Sequence, residues 1–349
     1  MPVRWRHQRG LSLVEILVAV TLSLVLLGGL VQMFAGSKDA YRLQGNMNVL
    51  QDNGRFATNM IKYSIRMADH WGNAESIVPA TTSAAPVVIG SGNCSSAWSL
   101  DINEALHGYE GGATPPAAVD CIAAGDYVTG SDMVVLRYAG STAVSTDVVD
   151  NSDTIYVRGR VGSSGVLFKG SEVASIDSGL QLYEAANPDP VDVSNYPYRV
   201  ELYFIRPCSV KLGTVCSSSD DSGQPIPTLT RYTLLPSVGG GADQLVQQAL
   251  VEGVEQLQLQ YGIDTDGDGF TNVYETAASL DVNGSYNWDS VVSVRMGLLV
   301  RTIEQDGAYT SPASYSLLAA NDYTVPAAQR SYHRQLFTQI VQVRNRSRN

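Results

Sequence analysis

Residues 10–36 read GLSLVEILVAVTLSLVLLGGLVQMFAG, and the nine residues before them read MPVRWRHQR. From Leu11 to Gly36 only Glu15 and Gln32 and a few small hydroxyls interrupt an apolar run. As a helix those 26 residues would extend about 39 Å, enough to cross a bilayer core. Arg4, Arg6 and Arg9 stand just ahead of the run and should keep that end on the cytoplasmic side. An ordinary secretory signal has an apolar stretch of about 7–15 residues followed by a small-x-small cleavage site. This run is too long, and Phe34-Ala35-Gly36 is a poor site, so a conventional removable signal is disfavoured. Glu15 is the oddity. An ionised carboxylate at the bilayer centre costs roughly 2.5–3.5 kcal/mol on insertion scales, and less near the interface. It needs either the headgroups or a cationic partner.

Beyond Gly36 the helical pattern continues. Leu43, Met47, Leu50, Ala57, Ile61 and Ile65 recur at spacings of three, four and seven, with Gly54 at the missing seam position. Arg42, Gln44, Asn48, Asp52, Lys62 and Arg66 occupy other faces. The spacing predicts an amphipathic helix to about residue 69, laid against a globular head and broken by Trp71-Gly72-Asn73. Gly28-Gly29 and Gly36 mark places where the helix could bend.

From residue 73 the composition shifts to Gly, Ser, Ala, Thr and Pro with short β-branched runs. Strands are expected at 133–138, 154–157, 165–168, 180–183, 199–205, 229–235, 254–263, 291–301 and 336–344. Leu257, Leu259, Tyr261 and Ile263 alternate as a half-buried strand should. The stretches 83–131, 138–153, 184–196, 212–228 and 236–244 read as surface loops on an antiparallel sheet. Four cysteines allow three connectivities. The local pairings, Cys94 with Cys121 and Cys208 with Cys216, are favoured because each closes a Gly/Ser-rich loop.

Gly10-Leu11-Ser12-Leu13-Val14-Glu15 resembles the prepilin cleavage and methylation motif, with Leu11 where phenylalanine is more usual. The resemblance implies cleavage after Gly10 by a dedicated peptidase and N-methylation of Leu11. It gives Glu15 the role of pairing with a neighbouring subunit's terminal amine during assembly. Further segments resemble the PilW family of minor pilins: Ser37-Lys38 through Tyr41-Arg42-Leu43-Gln44, Gln51-Asp52-Asn53-Gly54-Arg55-Phe56 and Ile65-Arg66-Met67-Ala68 near the start. Late in the chain come Leu250 to Glu255, Tyr261 to Asp264, Val294 to Arg301 and Val343-Arg344-Asn345-Arg346. The likeness is good at both ends and poor over 73–245. It implies a role in type IV pilus biogenesis, within a tip or priming complex. The implied partners are other minor and major pilins, the prepilin peptidase and the inner membrane. The head would be periplasmic before assembly and reach the cell surface with the pilus.

Asp264, Asp266 and Asp268, then Gly269 and Glu275, match D-x-[DN]-x-[DN]-G-x5-E in full. Calcium takes six to eight oxygens, and alternate carboxylates around a glycine turn can supply them. Asp264, Asp266, Asp268, the Phe270 carbonyl, Asn272 and Glu275 are the expected ligands, and Ca2+ the expected cofactor. The preceding residues alternate like a strand, so the expectation is a calcium-stapled loop in a β context, without a sensor-type groove.

Net charge is −11, with 34 acidic against 23 basic residues, which disfavours nucleic-acid partners. Arg344, Arg346 and Arg348 read as a frayed basic tail. Four histidines, His7, His70, His107 and His333, occur without HExxH, GxSxG or a phosphate-binding loop, so no enzyme is expected. The resulting layout is a leader (1–10), a membrane-spanning half-helix (11–36), an amphipathic half-helix (37–72) and a β-rich head (73–349). The expected class is α+β and pilin-like. Two other readings compete: a type II secretion pseudopilin, and an anchored calcium-binding or adhesive module that never polymerises.

Overall fold

The computed structural model describes residues 10, 12–72, 74, 76–79, 88–89, 94, 96–119, 121–144, 154–160, 164–173, 193–235, 243–283, 286–318 and 322–346. One helix, α1 (Leu13–Met67, 55 residues), opens the chain and runs without a break through Gly28, Gly29 and Gly36. The chain divides into two units, Met1–Val49 and Leu50–Asn349. In the first, the helix exposes its apolar side chains: Leu13 is 78 % exposed and Phe34 75 %. Two hydroxyls there are satisfied within the helix. Thr21 Oγ1 donates to the Val18 carbonyl and Ser23 Oγ to that of Ala19.

In the second unit α1 buries Leu50, Gly54, Ala57, Thr58, Ile61, Ser64 and Ile65, the seam that the spacing predicts. Gly54 is small for a reason: the Phe337 ring occupies the place its Cβ would take. The helix ends where Asp69 and Gly72 both adopt φ near +63°, and the site of the missing Gly72 Cβ is filled by the Tyr196 ring.

Fifteen strands are present among the described residues. The first sheet holds β1 (Ser76–Pro79), β2 (Val88–Ile89), β3 (Leu106–Tyr109), β4 (Met133–Ala139), β5 (Ile155–Arg160), β6 (Ser164–Lys169), β7 (Val193–Arg206), β8 (Thr228–Leu235) and β9 (Asp243–Glu252). Long β7 is its spine, pairing with β5, β4 and β8 in turn. The chain crosses to a second sheet at Gly253 (φ +82°), where a side chain would strike the Arg301 carbonyl. That sheet is antiparallel, in the order β11 (Val273–Glu275), β10 (Val254–Ile263), β12 (Val291–Arg301), β15 (Arg334–Gln342). A small hairpin, β13 (Ser314–Ser316) and β14 (Asp322–Thr324), completes the set.

Four expectations need correction. The first sheet is not purely antiparallel, because β1 pairs with β6 and β2 with β9 in parallel. Segment 83–131 is not surface decoration: Ala105, Tyr109, Val119, Ile122 and Tyr127 pack with Val135, Val200, Leu202 and Phe204 to cover the outer face of the first sheet. Its apolar residues are sparse and aperiodic, so no pattern marks them. Strand β9 lies in a stretch whose first residues read as loop. Its middle is only half-buried, which leaves a weak hydrophobic signal. Finally, β10 is buried on both faces. Its polar face meets residues 129–132 rather than water: Gln256 and Gln258 donate to the carbonyls of Thr129 and Gly130. The strand expected at 180–183 lies outside the described residues.

The inner faces of both sheets share one core with α1, in which Ile61 and Ile65 join Leu136, Tyr203, Leu257, Tyr261, Val294 and Leu298. Asp132 joins the sheets. Its N–H donates to the Leu257 carbonyl, and its Oδ2 accepts from the Leu259 N–H at 2.7 Å.

Candidate functional site

The helix start comes first. Gly10 is exposed, and Leu11 lies outside the described residues. Ser12 precedes the first helical residue, and its N–H donates to Glu15 Oε2 at 2.9 Å. Ser-x-x-Glu at a helix start is a capping box, in which the N3 carboxylate reaches back to an orphan amide and sits at the positive end of the helix dipole. Glu15 therefore has an interaction within its own chain. It stays exposed, so a cation from outside can still reach it. Behind it, α1 has a stretch of mean hydropathy 2.5 that is nowhere buried, long and apolar enough to cross a membrane.

The acidic hairpin joins β10 to β11. The carboxylates of Asp264, Asp266 and Asp268 come within 4.8 Å of one another. Asp264 is the organiser, with Oδ1 accepting from the N–H groups of Gly267 and Asp266 and Oδ2 from Gly269. The Gly269 N–H bond is the main reason its carboxyl is held below the ordinary value. The Phe270 N–H donates to Asp268, and the Asn272 side-chain oxygen accepts from the Thr265 N–H. Glu275 sits on β11 opposite Tyr261 and is not part of the three-carboxylate cluster. The loop thus brings together three of the four expected carboxylates, and Asn272 Nδ2 reaches Asp266 Oδ2 at 3.4 Å.

Both disulfides are the local ones, Cys94–Cys121 and Cys208–Cys216. Carboxylates just beyond the smaller ring hold it from outside: Asp220 accepts from Leu212 and Ser217, and Asp221 from Ser209, Val210 and Ile226.

The C-terminal run is no frayed tail where it is described. Asn345 Nδ2 donates to the Ala68 carbonyl at 2.9 Å, with those of Arg66 and Met67 at 3.5 Å. Arg346 Nε donates to Asp69 Oδ2 at 2.6 Å, and its Nη1 donates to the Trp288 carbonyl. Together they close the C-terminal end of α1. Sequence reading missed this role; the signal available was an Asn-Arg pair directly after an apolar strand. Arg348 lies outside the described residues.

The histidines show no catalytic arrangement among the described residues. His107 is on β3, not in a loop, wedged against the rings of Tyr109 and Trp288, and burial lowers its pKa. His333 stacks on Tyr309 and pairs with Asp306 at 3.0 Å.

With this geometry in place, comparison with known families gives two matches. Residues 5–31 match the family described as Prokaryotic N-terminal methylation motif, and residues 214–345 the family described as Type IV Pilus-assembly protein W. The two matches together support a minor-pilin role. No curated protein and no solved structure matches the chain.

Proposed function

From a chain that begins with a prepilin motif and ends in a PilW-family region, we propose a non-catalytic minor pilin that helps to initiate and assemble a type IV pilus. The observation that carries this is the helix start: Gly10 exposed, Ser12 and Glu15 closing a capping box, then an uncovered apolar helix. In this reading a peptidase cuts after Gly10 and Leu11 is methylated. The helix waits in the inner membrane with the head in the periplasm, and Glu15 leaves Ser12 for a neighbour's terminal amine during assembly. A buried carboxylate needs such a partner. The tip or priming complex is the assigned place.

The test is intact-mass measurement of the protein from its native membrane fraction. A mass lacking residues 1–10 and carrying one extra methyl is expected. A full-length unmethylated chain would refute the reading.

Calcium at the β10–β11 hairpin belongs to the same proposal. It is supported by the sequence match and by three carboxylates whose oxygens lie within 4.8 Å of one another. Calcium at ten times its Kd would raise head stability by about 1.4 kcal/mol. Asp266→Asn should abolish that gain; a midpoint insensitive to calcium in the native chain would remove calcium from the account.

A further inference from the structure

Where α1 meets β4, β7 and β8, two adjoining cavities of about 320 and 300 Å3 share Tyr63, Tyr138, Glu201 and Arg231 as walls. Strand register builds the floor. Tyr138 pairs with Arg199, Glu201 with Thr233 and Tyr203 with Arg231, so these side chains alternate onto one face.

Glu201 is fully engaged by its own surroundings. Arg231 Nη1 donates to Oε1 at 2.6 Å, while Ser64 Oγ and Tyr203 Oη donate to Oε2 at 2.5 and 3.1 Å. Arg231 Nη2 donates to Gln248 Oε1 at 2.8 Å. Arg199 is left over. It is half-buried, lines the polar end, and has no hydrogen-bond or ion-pair partner among the described residues. Two guanidinium groups thus face one carboxylate, making a local positive site on a chain of net charge −11.

The other end is apolar. Phe56, Met60 and Tyr63 follow one another at i, i+4 and i+7 on α1, and the two rings are 57 % and 54 % exposed. Those residues span about 10 Å of helix. A free anion or a single sugar would fill one end and leave the other empty.

We propose that this groove receives a short segment of a neighbouring pilin subunit in which an Asp or Glu lies within a few residues of a large apolar side chain. The carboxylate takes Arg199, and the apolar side chain covers Phe56, Met60 and Tyr63. Charge complementarity favours this occupant: a neighbouring copy of this chain alone, with 34 acidic against 23 basic residues, offers carboxylates in excess to a site with one guanidinium unpaired among the described residues. The inference rests on the filament reading above.

The experiment uses the full chain in its native cells, with Asn59→p-benzoyl-phenylalanine as the photo-crosslinker at the groove rim. Captured peptides are identified by mass spectrometry. The expected product is a pilin peptide carrying a carboxylate near an apolar residue. Arg199→Gln should cut its yield by about tenfold or more. Arg199→Glu should be rescued when the captured acid is changed to Arg. Capture indifferent to Arg199→Gln would overturn the proposal, as would a lipid, sugar or non-pilin product. So would no capture from a chain that is processed and incorporated into filaments. The thermal midpoint of Arg199→Gln should match the parent, since no partner is lost. Failure of processing, read separately from the intact mass, would sink the pilin reading first and this partner with it.

Discussion

Replacing Asn345 by Asp and by Ala separates a hydrogen-bonded helix cap from simple packing. Asn345 Nδ2 makes one good bond, to the Ala68 carbonyl at 2.9 Å, and two contacts at 3.5 Å that are at the limit of hydrogen bonding. One such bond is worth about 1 kcal/mol net, so Asn345→Ala should cost about that much. Asn345→Asp keeps the shape and removes the donor. It also sets a carboxylate against three carbonyl oxygens at the negative end of α1, adding about 0.5–1 kcal/mol. The total for Asp is about 2 kcal/mol, or roughly 3 °C in midpoint for a unit as large as Leu50–Asn349. Arg346→Ala should cost more, about 3 kcal/mol, because it strips Asp69 and the Trp288 carbonyl of a buried guanidinium. Denaturant unfolding of the full chain in detergent reads all three, followed by tryptophan fluorescence, since the Trp71 indole donates to Asp69. The predicted order is parent, Asn345→Ala, Asn345→Asp, Arg346→Ala. An Asp variant as stable as the Ala variant would refute the cap.

Three further outcomes follow from buried polar groups. Tyr261 Oη is buried without a partner among the described residues, so Tyr261→Phe should be neutral or stabilise by about 1 kcal/mol in the same unfolding assay. Gly108→Ala would drive a Cβ into that hydroxyl, and should be less harmful in the Tyr261→Phe background than alone. Asp132 is pushed up to about 8, first by burial and then by the charge of Glu110, so the folded state holds its proton more tightly than the unfolded chain. Its stabilising contribution is therefore complete below pH ~4 and lost as pH rises through ~8. The parent should lose on the order of 3 kcal/mol between pH 5 and 8 relative to Asp132→Asn, as measured by denaturation at each pH. Arg334 is fully buried and bonds both oxygens of Glu255, at 2.5 and 2.9 Å. Arg334→Met alone should cost about 3–5 kcal/mol, and the double change with Glu255→Met distinctly less, which a double-mutant cycle reads directly.

The helix was legible because it obeys one rule over its whole length, an apolar run followed by a 3.6-residue seam in which even Gly54 has its place. The strands that were legible are those with β-branched runs, such as β4, buried throughout, and β12, buried at all but Arg295. β10 was half legible. Its alternation is real, but burial of its glutamine face depends on carbonyls some 127 residues away, at Thr129 and Gly130, and nothing local records that. The cover formed by segment 94–127 was illegible for a related reason: it is pinned by single anchors such as Val119, Ile122 and the Cys94–Cys121 bridge rather than by a repeating pattern. The acidic loop was legible as a motif, because its ligand spacing is local. Glu275 depends on how β11 pairs, which spacing alone does not set.

Several of the helix contacts fall in the part of the chain that matches a family model. Phe337 fills the space beside Gly54, Asn53 Nδ2 donates to the Glu252 carbonyl, and Asn345 closes the helix end. All three partners fall within 214–345, the region that matches the PilW family. Within the first sheet, Glu201 and Tyr203 of β7 meet the helix through Ser64. The outer strands β1, β5 and β6 and the cover segment pack instead with one another and with the far face of that sheet. The contacts of Asn53, Gly54 and the helix end thus hold the second half of the helix in register on the head. Changes at those contacts act on how the helix is held, whereas changes in the outer layers act on their own packing.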